Sequence, residues 1–323
     1  MDFITFPALG WTFNVSPELF TIKLFGESFT VYWYGVMIAL GFALAMVYGF
    51  VNAKRLKIDP DRMIDEVIVA TVCAVIGARL YYILFSGDLS AYLKNPGKIF
   101  AIRDGGLAIY GGVIAAFVTG LWICKVRKVS RLKMFDLAAI GFLIGQGIGR
   151  WGNFFNQEAF GANTTLPWGM SGSIIASGTN GSGYNPGLPV HPTFLYESLW
   201  CLIGVLILHI TSKKAFKFKG QLFCMYVMWY GLGRSIFEGL RTDSLMIGDT
   251  IRVSQLLAIL SVVAGGCLFW WLYRRSVQAK TPIKVTAVAE PEDVKAEEIT
   301  TLSLLDLDEV NATEEVNDDG ENH

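Results

Sequence analysis

Charge is scarce in this 323-residue chain. Lys, Arg, Asp and Glu together make up 17%, against about 25% in an ordinary soluble domain. A chain so poor in charge cannot cover a normal water-facing surface, which excludes a conventional soluble enzyme. The same composition excludes a disordered protein and a nucleic-acid binder of the basic-patch type. Histidine is scarcer still, with His191, His209 and His323. The five cysteines, Cys73, Cys124, Cys201, Cys224 and Cys267, lie in apolar runs or at their ends. With no CxxC and no Cys/His spacing they read as small packing residues, and neither a metal site nor a cofactor is expected. The first 24 residues lack the basic start, apolar core and small-residue cleavage site of a signal peptide. Their Phe, Trp and Pro content reads as an external surface segment, 1–28. No internal repeat is evident, which weakens an inverted-repeat transporter reading.

What the chain has in abundance is apolar surface. Hydrophobic residues make up 53%, aromatics 13%, and there are 34 glycines, a profile of helical membrane proteins. Seven apolar stretches stand out: Phe29–Val51, Val67–Phe85, Leu107–Cys124, Phe135–Gly149, Phe194–Ile210, Leu222–Phe237 and Val253–Tyr273. A spanning helix needs about 20 residues, so the fourth and sixth are short. The expected fold is an all-α polytopic membrane protein with seven transmembrane helices occupying 29–278. An external head, 152–192, lies between the fourth and fifth; it is rich in Gly, Asn, Ser, Thr and Pro, and loops of that length are usually functional.

Loop charge sets the expected orientation. Lys54, Arg55, Lys57 and Arg62 follow the first stretch, and Lys125, Arg127, Lys128, Arg131 and Lys133 follow the third. Lys213, Lys214, Lys217 and Lys219 follow the fifth, whereas Asn153–Pro192 contains no Lys or Arg. The positive-inside rule then puts the N-terminus outside and the C-terminus in the cytoplasm. Residues 1–284 hold 26 Lys and Arg against 15 Asp and Glu, a net of +11, while 285–323 hold 1 against 13, a net of −12. That acidic tail, counted from 279 as a segment and devoid of aromatics, reads as disordered and cytoplasmic.

Charged residues within apolar stretches are the most informative feature, because a central Arg costs about 2.5–3.5 kcal/mol on insertion scales and normally faces a cavity or partner. With the expected orientation, Arg79, Arg150 and Arg234 fall near the outer ends of outward-running stretches. Tyr34, Tyr110 and Glu197 fall near the outer starts of inward-running ones. One charged site facing the outer leaflet is the simplest reading. Tyr230, Arg234, Glu238 and Arg241 share a helix face, so Glu238 can reach Arg234 and Arg241. Surplus arginine favours an anionic ligand bound through the planar donor fork. A salt-bridge ladder that only holds the bundle together, as in a non-catalytic assembly factor, fits the same spacing, and a cationic cavity would also suit a lipid or anion transporter. Gly141, Gly145 and Gly149 follow the small-xxx-small pattern of close helix packing.

At Gly149–Gly161 the chain reads Gly-Arg-Trp-Gly-Asn-Phe-Phe-Asn-Gln-Glu-Ala-Phe-Gly. This resembles the thirteen-position signature of the bacterial prolipoprotein diacylglyceryl transferases. Tyr32-Trp33-Tyr34-Gly35, Asp104-Gly105-Gly106, Gly111-Gly112, His191-Pro192-Thr193-Phe194-Leu195-Tyr196-Glu197 and Tyr230 through Arg234, Glu238 and Arg241 stand in that family's order. The resemblance covers roughly residues 25–278. It implies a multi-pass inner-membrane enzyme that moves the diacylglyceryl group of phosphatidylglycerol to the lipobox cysteine of a prolipoprotein signal peptide, releasing glycerol phosphate. It implies Arg150 and Arg234 at the lipid phosphate, with Tyr34, Asn153, Glu158, Glu238, Arg241, Arg79, Asp104 and His191 around the substrates. Where several members carry a histidine proposed as catalytic base, this chain has Tyr110, which takes that catalytic position here.

Overall fold

The computed structural model describes residues 2–24, 27–101, 105–179, 183–242, 246–247 and 251–279. Asp104 and the acidic tail, read above as disordered, lie outside them. Seven long helices correspond to the seven apolar stretches: α1 (Trp33–Ala53), α2 (Pro60–Phe85), α4 (Ile109–Val126), α5 (Arg131–Asn156), α7 (Thr193–Lys214), α8 (Gln221–Glu238) and α9 (Val253–Ala279), with short helices α3 (Leu89–Lys94) and α6 (Ser173–Ser177) between them. Six are long and apolar enough to cross a membrane. The exception is α8, whose 18 residues include Gln221, Arg234 and Glu238.

Most of these helices outrun their apolar stretches because backbone hydrogen bonding continues into polar residues. The fourth stretch, short by sequence, belongs to the 26-residue α5, roughly 39 Å at 1.5 Å per residue. The first helix starts later than expected: Phe29–Tyr32 belong to a strand. α2 opens where Asp59 accepts from the Asp61 amide at 3.1 Å and Pro60 occupies the first turn, a site where its missing N–H costs nothing. α8 is capped from another helix. Gly220 precedes it at φ 89°, and the buried Asp136 of α5 accepts from the amides of Gly220 at 2.6 Å and Phe223 at 3.0 Å.

The all-helical expectation needs amending, because three small sheets are present among the described residues. β1 (Ile4–Phe6) lies between β2 (Trp11–Phe13) and β5 (Ser171–Gly172). β3 (Glu18–Leu24) and β4 (Glu27–Tyr32) form a hairpin that runs into α1, so a boundary at 28/29 falls inside β4. β6 (Met246–Ile247) pairs with β7 (Ile251–Arg252) ahead of α9. The N-terminal segment therefore joins the 152–192 segment instead of lying apart from it. Ile4, Phe6, Phe154, Phe160, Met170 and Val190 share one buried cluster. These strands escape a sequence reading because each is two to seven residues long and β5 pairs across more than 160 positions.

In the bundle α5 is central, packing along α1 on one side and α7 and α8 on the other, while α2 pairs with α4 and α8 with α9. Two of the three stripe glycines serve this packing. A Cβ at Gly41 of α1 would lie 3.1 Å from the Gly145 carbonyl, and one at Gly141 would touch Ala45, whereas Gly149 meets nothing within 4 Å. The cysteines are all free, with Cys124, Cys201 and Cys224 buried. The outer faces carry exposed Ile38, Phe42 and Val47 on α1, Ile68 and Val72 on α2, and Leu260 and Val263 on α9, as suits contact with lipid.

The closest crossing sets a stability test. A Cβ at Gly77 of α2 would collide with the Ala115 methyl and sit 2.8 Å from the Gly111 carbonyl on α4. Gly77→Ala should cost about 1–3 kcal/mol, the range for overpacking a tight contact, whereas Gly149→Ala should be neutral or slightly stabilising. Thermal unfolding in detergent measures both, and equal midpoints for the two variants would refute the α2–α4 approach.

Candidate functional site

Three helix ends meet around one carboxylate. α5 brings Arg150 near its C-terminus, the antiparallel α7 brings Glu197 in its second turn, and α8 brings Arg234 and Glu238 in its last turns. Arg150 Nη2 lies 2.7 Å from Glu197 Oε2, with Arg234 Nη1 at 3.6 Å from the same oxygen and Arg241 Nη1 at 3.9 Å from Oε1. Arg234 Nη2 lies 2.6 Å from Glu238 Oε2, one helical turn on. The side chains of Glu197 and Glu238 are 6% and 2% exposed, so these charges act on one another in a low dielectric. Among the described residues, Glu197 thus draws Arg150, Arg234 and Arg241 together, and Glu238 holds Arg234. Glu238 reaches Arg234 as its spacing indicates, but Arg241 turns to Glu197.

The surrounding residues hold this geometry. The Tyr34 ring packs on Gly152, where a Cβ would come within 2.6 Å of it, and Trp33 stacks on Phe155. Asn153 and Asn156 donate to Glu158 Oε1 at 3.0 and 3.1 Å, closing the end of α5. Gln157 is fully buried; its Oε1 accepts from the Ile174 amide and its Nε2 donates to the Phe3 carbonyl, fastening α5 to the head. Gly161 links His191 to the end of α8, because its amide donates to the His191 carbonyl, the Ala162 amide donates to that of Leu240, and a Cβ would clash with both neighbours. The His191 ring meets the Tyr196 hydroxyl at 3.2 Å. Burial pushes its pKa below the ordinary value, so it is neutral at pH 7 and adds no cation.

Arg79 does not join the cluster. Its Nε donates to Ile99, Nη1 to Gly105 and Gly106, and Nη2 to Lys98 and Ala101, all backbone carbonyls. A guanidinium has five N–H groups, and five carbonyl bonds occupy them. Gly105 and Gly106 adopt φ of 86° and 75°, a turn that leads within four residues to Tyr110, half exposed in the first turn of α4. No described contact joins Tyr110 to the Arg150 cluster. Asp104 is outside the described residues.

Beside the cluster, Gln146, one turn before Arg150, donates to the Tyr226 hydroxyl at 3.0 Å. It closes one end of an apolar groove of about 350 Å³ lined by α1, α2 and α5, including Ile38, Phe42, Val67 and Phe142. Sequence reasoning missed Gln146 and Tyr226, because an amide and a phenol in a long apolar run carry no charge to flag them. It counted Glu197 among the charged residues without giving it a role. The signal was present, but which arginines reach it depends on α5 and α8 meeting α7.

The model of the prolipoprotein diacylglyceryl transferase family matches residues 20–271. The chain is also similar to proteins named phosphatidylglycerol–prolipoprotein diacylglyceryl transferase. It is 42% identical to one from Bacillus cereus (strain G9842) over 247 residues, which cover 76% of this chain and 90% of the relative. It is 43% identical to one from Bacillus anthracis over the same length and shares. With one from Bacillus mycoides (strain KBAB4) the identity is 42% over 263 residues, 81% of this chain and 95% of the relative.

If Glu197 is the common counter-charge, Glu197→Gln removes the anion paired with Arg150 at 2.7 Å. Breaking a buried pair from one side costs about 3–5 kcal/mol, and inorganic phosphate, by replacing the lost charge, should restore part of that. Thermal unfolding with and without phosphate is the measurement. A loss below about 1 kcal/mol, the scale of an exposed pair, would show that Glu197 does not hold the cluster.

Proposed function

Because the chain belongs to the prolipoprotein diacylglyceryl transferase family, we propose that the arginine cluster around Glu197 is its reaction centre. The chain is a transferase of lipoprotein biosynthesis that moves the diacylglyceryl group of phosphatidylglycerol onto prolipoproteins, the first step of lipoprotein maturation. The observation that carries the assignment of the site is the convergence of Arg150 and Arg234 on the buried Glu197 where α5, α7 and α8 meet. Two guanidiniums so placed suit a lipid phosphodiester, and the apolar groove beside Gln146 suits acyl chains.

In this reading the sulfur of the acceptor's lipobox cysteine attacks the diacylglyceryl carbon that bears the phosphate ester. A C–S bond forms, the C–O bond breaks, and glycerol phosphate leaves with the electron pair. Arg150 and Arg234 hold the phosphate and stabilise the charge that grows on it as it departs. The thiol proton goes to a base. A free thiol in water is only a few per cent thiolate at neutral pH, so the arginine field also favours the nucleophile. Tyr34, Asn153 and Glu158 shape the rim, Glu238 and Arg241 set the field, and Arg79 positions the turn leading to Tyr110. His191, neutral, steadies the head.

The membrane arrangement of this reading has seven spans, with α8 shielded among α5, α7 and α9, the N-terminus outside, and the 152–192 head external. The C-terminus and the 279–323 segment are then cytoplasmic, and the membrane is the bacterial inner membrane. Support comes from the lysine and arginine asymmetry of the loops and from the cluster lying at the end of the bundle that carries the head.

Transfer of label from phosphatidylglycerol to a lipobox peptide by the purified protein tests the site. Arg150→Ala and Arg234→Ala should each nearly abolish transfer while the protein stays folded and inserted. Arg234→Lys should also be poor, because an ammonium cannot reproduce two parallel donors. Near-normal turnover of the Lys variant would count against bidentate phosphate binding, and loss of folded protein in all three would favour a purely structural ladder.

Tyr110 is tested separately. A phenol in water is ionised to about 0.1% at neutral pH, so hydrogen bonding to the head group or leaving oxygen is its expected role. Tyr110→Phe should cost less than about 10²-fold, the lower end for general acid–base catalysis, and Tyr110→His should remain active. A loss near 10⁴-fold, with a basic limb gone from the pH–rate profile, would instead make Tyr110 the acid–base group.

A further inference from the structure

At the far end of α7 another arginine is held with no carboxylate. Arg55 stands in the single 3₁₀ turn Lys54–Leu56 that follows α1, and its Nη2 donates to Ser212 Oγ at 2.7 Å. Its Nε and Nη1 are buried and have no hydrogen-bond acceptor among the described residues. The Tyr48 hydroxyl interacts with Arg55 and with Ser212 and is engaged with His209 Nδ1 at 2.8 Å. The charges of Arg55 and Lys213 both act on His209. Ser212 lies fifteen residues beyond Glu197 on α7, roughly 22 Å along the helix, so this cluster is separate from the reaction centre.

Four carboxylates at this end are committed elsewhere, and Asp61 stands in the first turn of α2. Asp59 pairs with Arg62 at 3.6 Å, and Asp65 with Arg127 at 2.5 Å. Glu66 accepts from the Cys124 thiol, and Asp136 caps α8. The guanidinium is half-buried, and its two unpaired nitrogens are costly unless an anion completes them. Ser212 Oγ accepts from Nη2 and donates to the His209 carbonyl at 2.6 Å, and the Tyr48 hydroxyl is held by the His209 ring. The N–H groups of Nε and Nη1, with the neighbouring Lys213, are therefore the donors left for a compact oxyanion.

We propose that Arg55, Tyr48, His209 and Ser212 form a phosphate-binding site at the end of the bundle opposite the Arg150 cluster. Its ligand is a phosphate monoester or diester, presented by the head group of an anionic lipid in the facing leaflet or taken up as inorganic phosphate. Under the topology above, that leaflet is the cytoplasmic one, and the site is distinct from the one where phosphatidylglycerol reacts. The carboxylates of residues 285–323, with their net charge of −12, are the rival occupant.

The three histidines make the test selective, since His191 reports the head end, His209 this cluster and His323 the tail. The full chain, carrying ¹³C-labelled histidine in zwitterionic detergent at constant pH, is titrated with inorganic phosphate and, separately, with dihexanoyl phosphatidic acid. The His209 resonance should shift saturably, and Arg55→Gln should weaken the apparent affinity by about tenfold or more, as expected for losing a charge-assisted donor set. A shift with both probes assigns the bare phosphate group; a shift with the lipid alone assigns a head group. Should Arg55→Gln not fold, Ser212→Ala is titrated in its place, with a loss of about threefold or more supporting the site and unchanged affinity overturning it. A His209 resonance that ignores both probes, that responds equally in Arg55→Gln, or that moves only when 285–323 is deleted also overturns the proposal. The readout is independent of transfer, so a silent His209 leaves the transferase reading standing, and an inactive enzyme that still titrates leaves this site standing.

Discussion

One buried carboxylate, Glu197, sets the terms for the end of the bundle where α5, α7 and α8 meet. Alone in a low dielectric it would be expelled or neutralised. Surrounded by Arg150, Arg234 and Arg241 it becomes the shared counter-charge that lets three guanidiniums lie together. Glu238 takes part of the load from Arg234. Arg234 is therefore divided between two carboxylates, and Arg150 depends on Glu197 alone among the described ion pairs.

Holding such charges in place falls to groups that satisfy backbone from a distance. In a membrane every buried N–H and C=O needs a partner, and several long-range side chains supply one here. Asp136 caps α8 from α5, and Gln157 closes the end of α5 against the N-terminal strand. Gly152 admits the Tyr34 ring and Gly161 admits the head to the end of α8. Glycine is required at both because a Cβ would separate the elements that the charges bring together. The small N-terminal sheet follows the same logic: β1 is completed by β5 from the head, so neither part is an independent unit.

The helices and the charged end of the bundle were legible in the sequence because both rest on local signals. Apolar runs of near-spanning length mark the helices, and arginines inside them mark the charged end. The four-residue spacing from Arg234 to Glu238 is a real ion pair for the same reason. What stayed hidden is non-local. Arg241 sits at the right spacing for Glu238 yet turns to Glu197, because Gly161 bridges it from the head and changes its approach. Gly149 continues a glycine stripe but has no neighbour to meet, since the α1 contact is made by Gly141 and Gly145. The strands of the first 32 residues carry too few residues for a period-two pattern to declare itself.

The arginines also differ in how completely they are satisfied, and that difference ranks what each can do. Arg79 spends all five N–H groups on carbonyls of residues 98–106, so it has none for a phosphate, and a role in direct substrate binding does not fit it. What it fixes is the Gly105-Gly106 turn that precedes α4. Arg150, Arg234 and Arg241 are tied by charge to carboxylates that can be shared with an incoming anion without breaking a backbone turn. Guanidiniums held by side-chain charge in this way can redirect their N–H groups without unfolding a backbone turn, which Arg79 cannot.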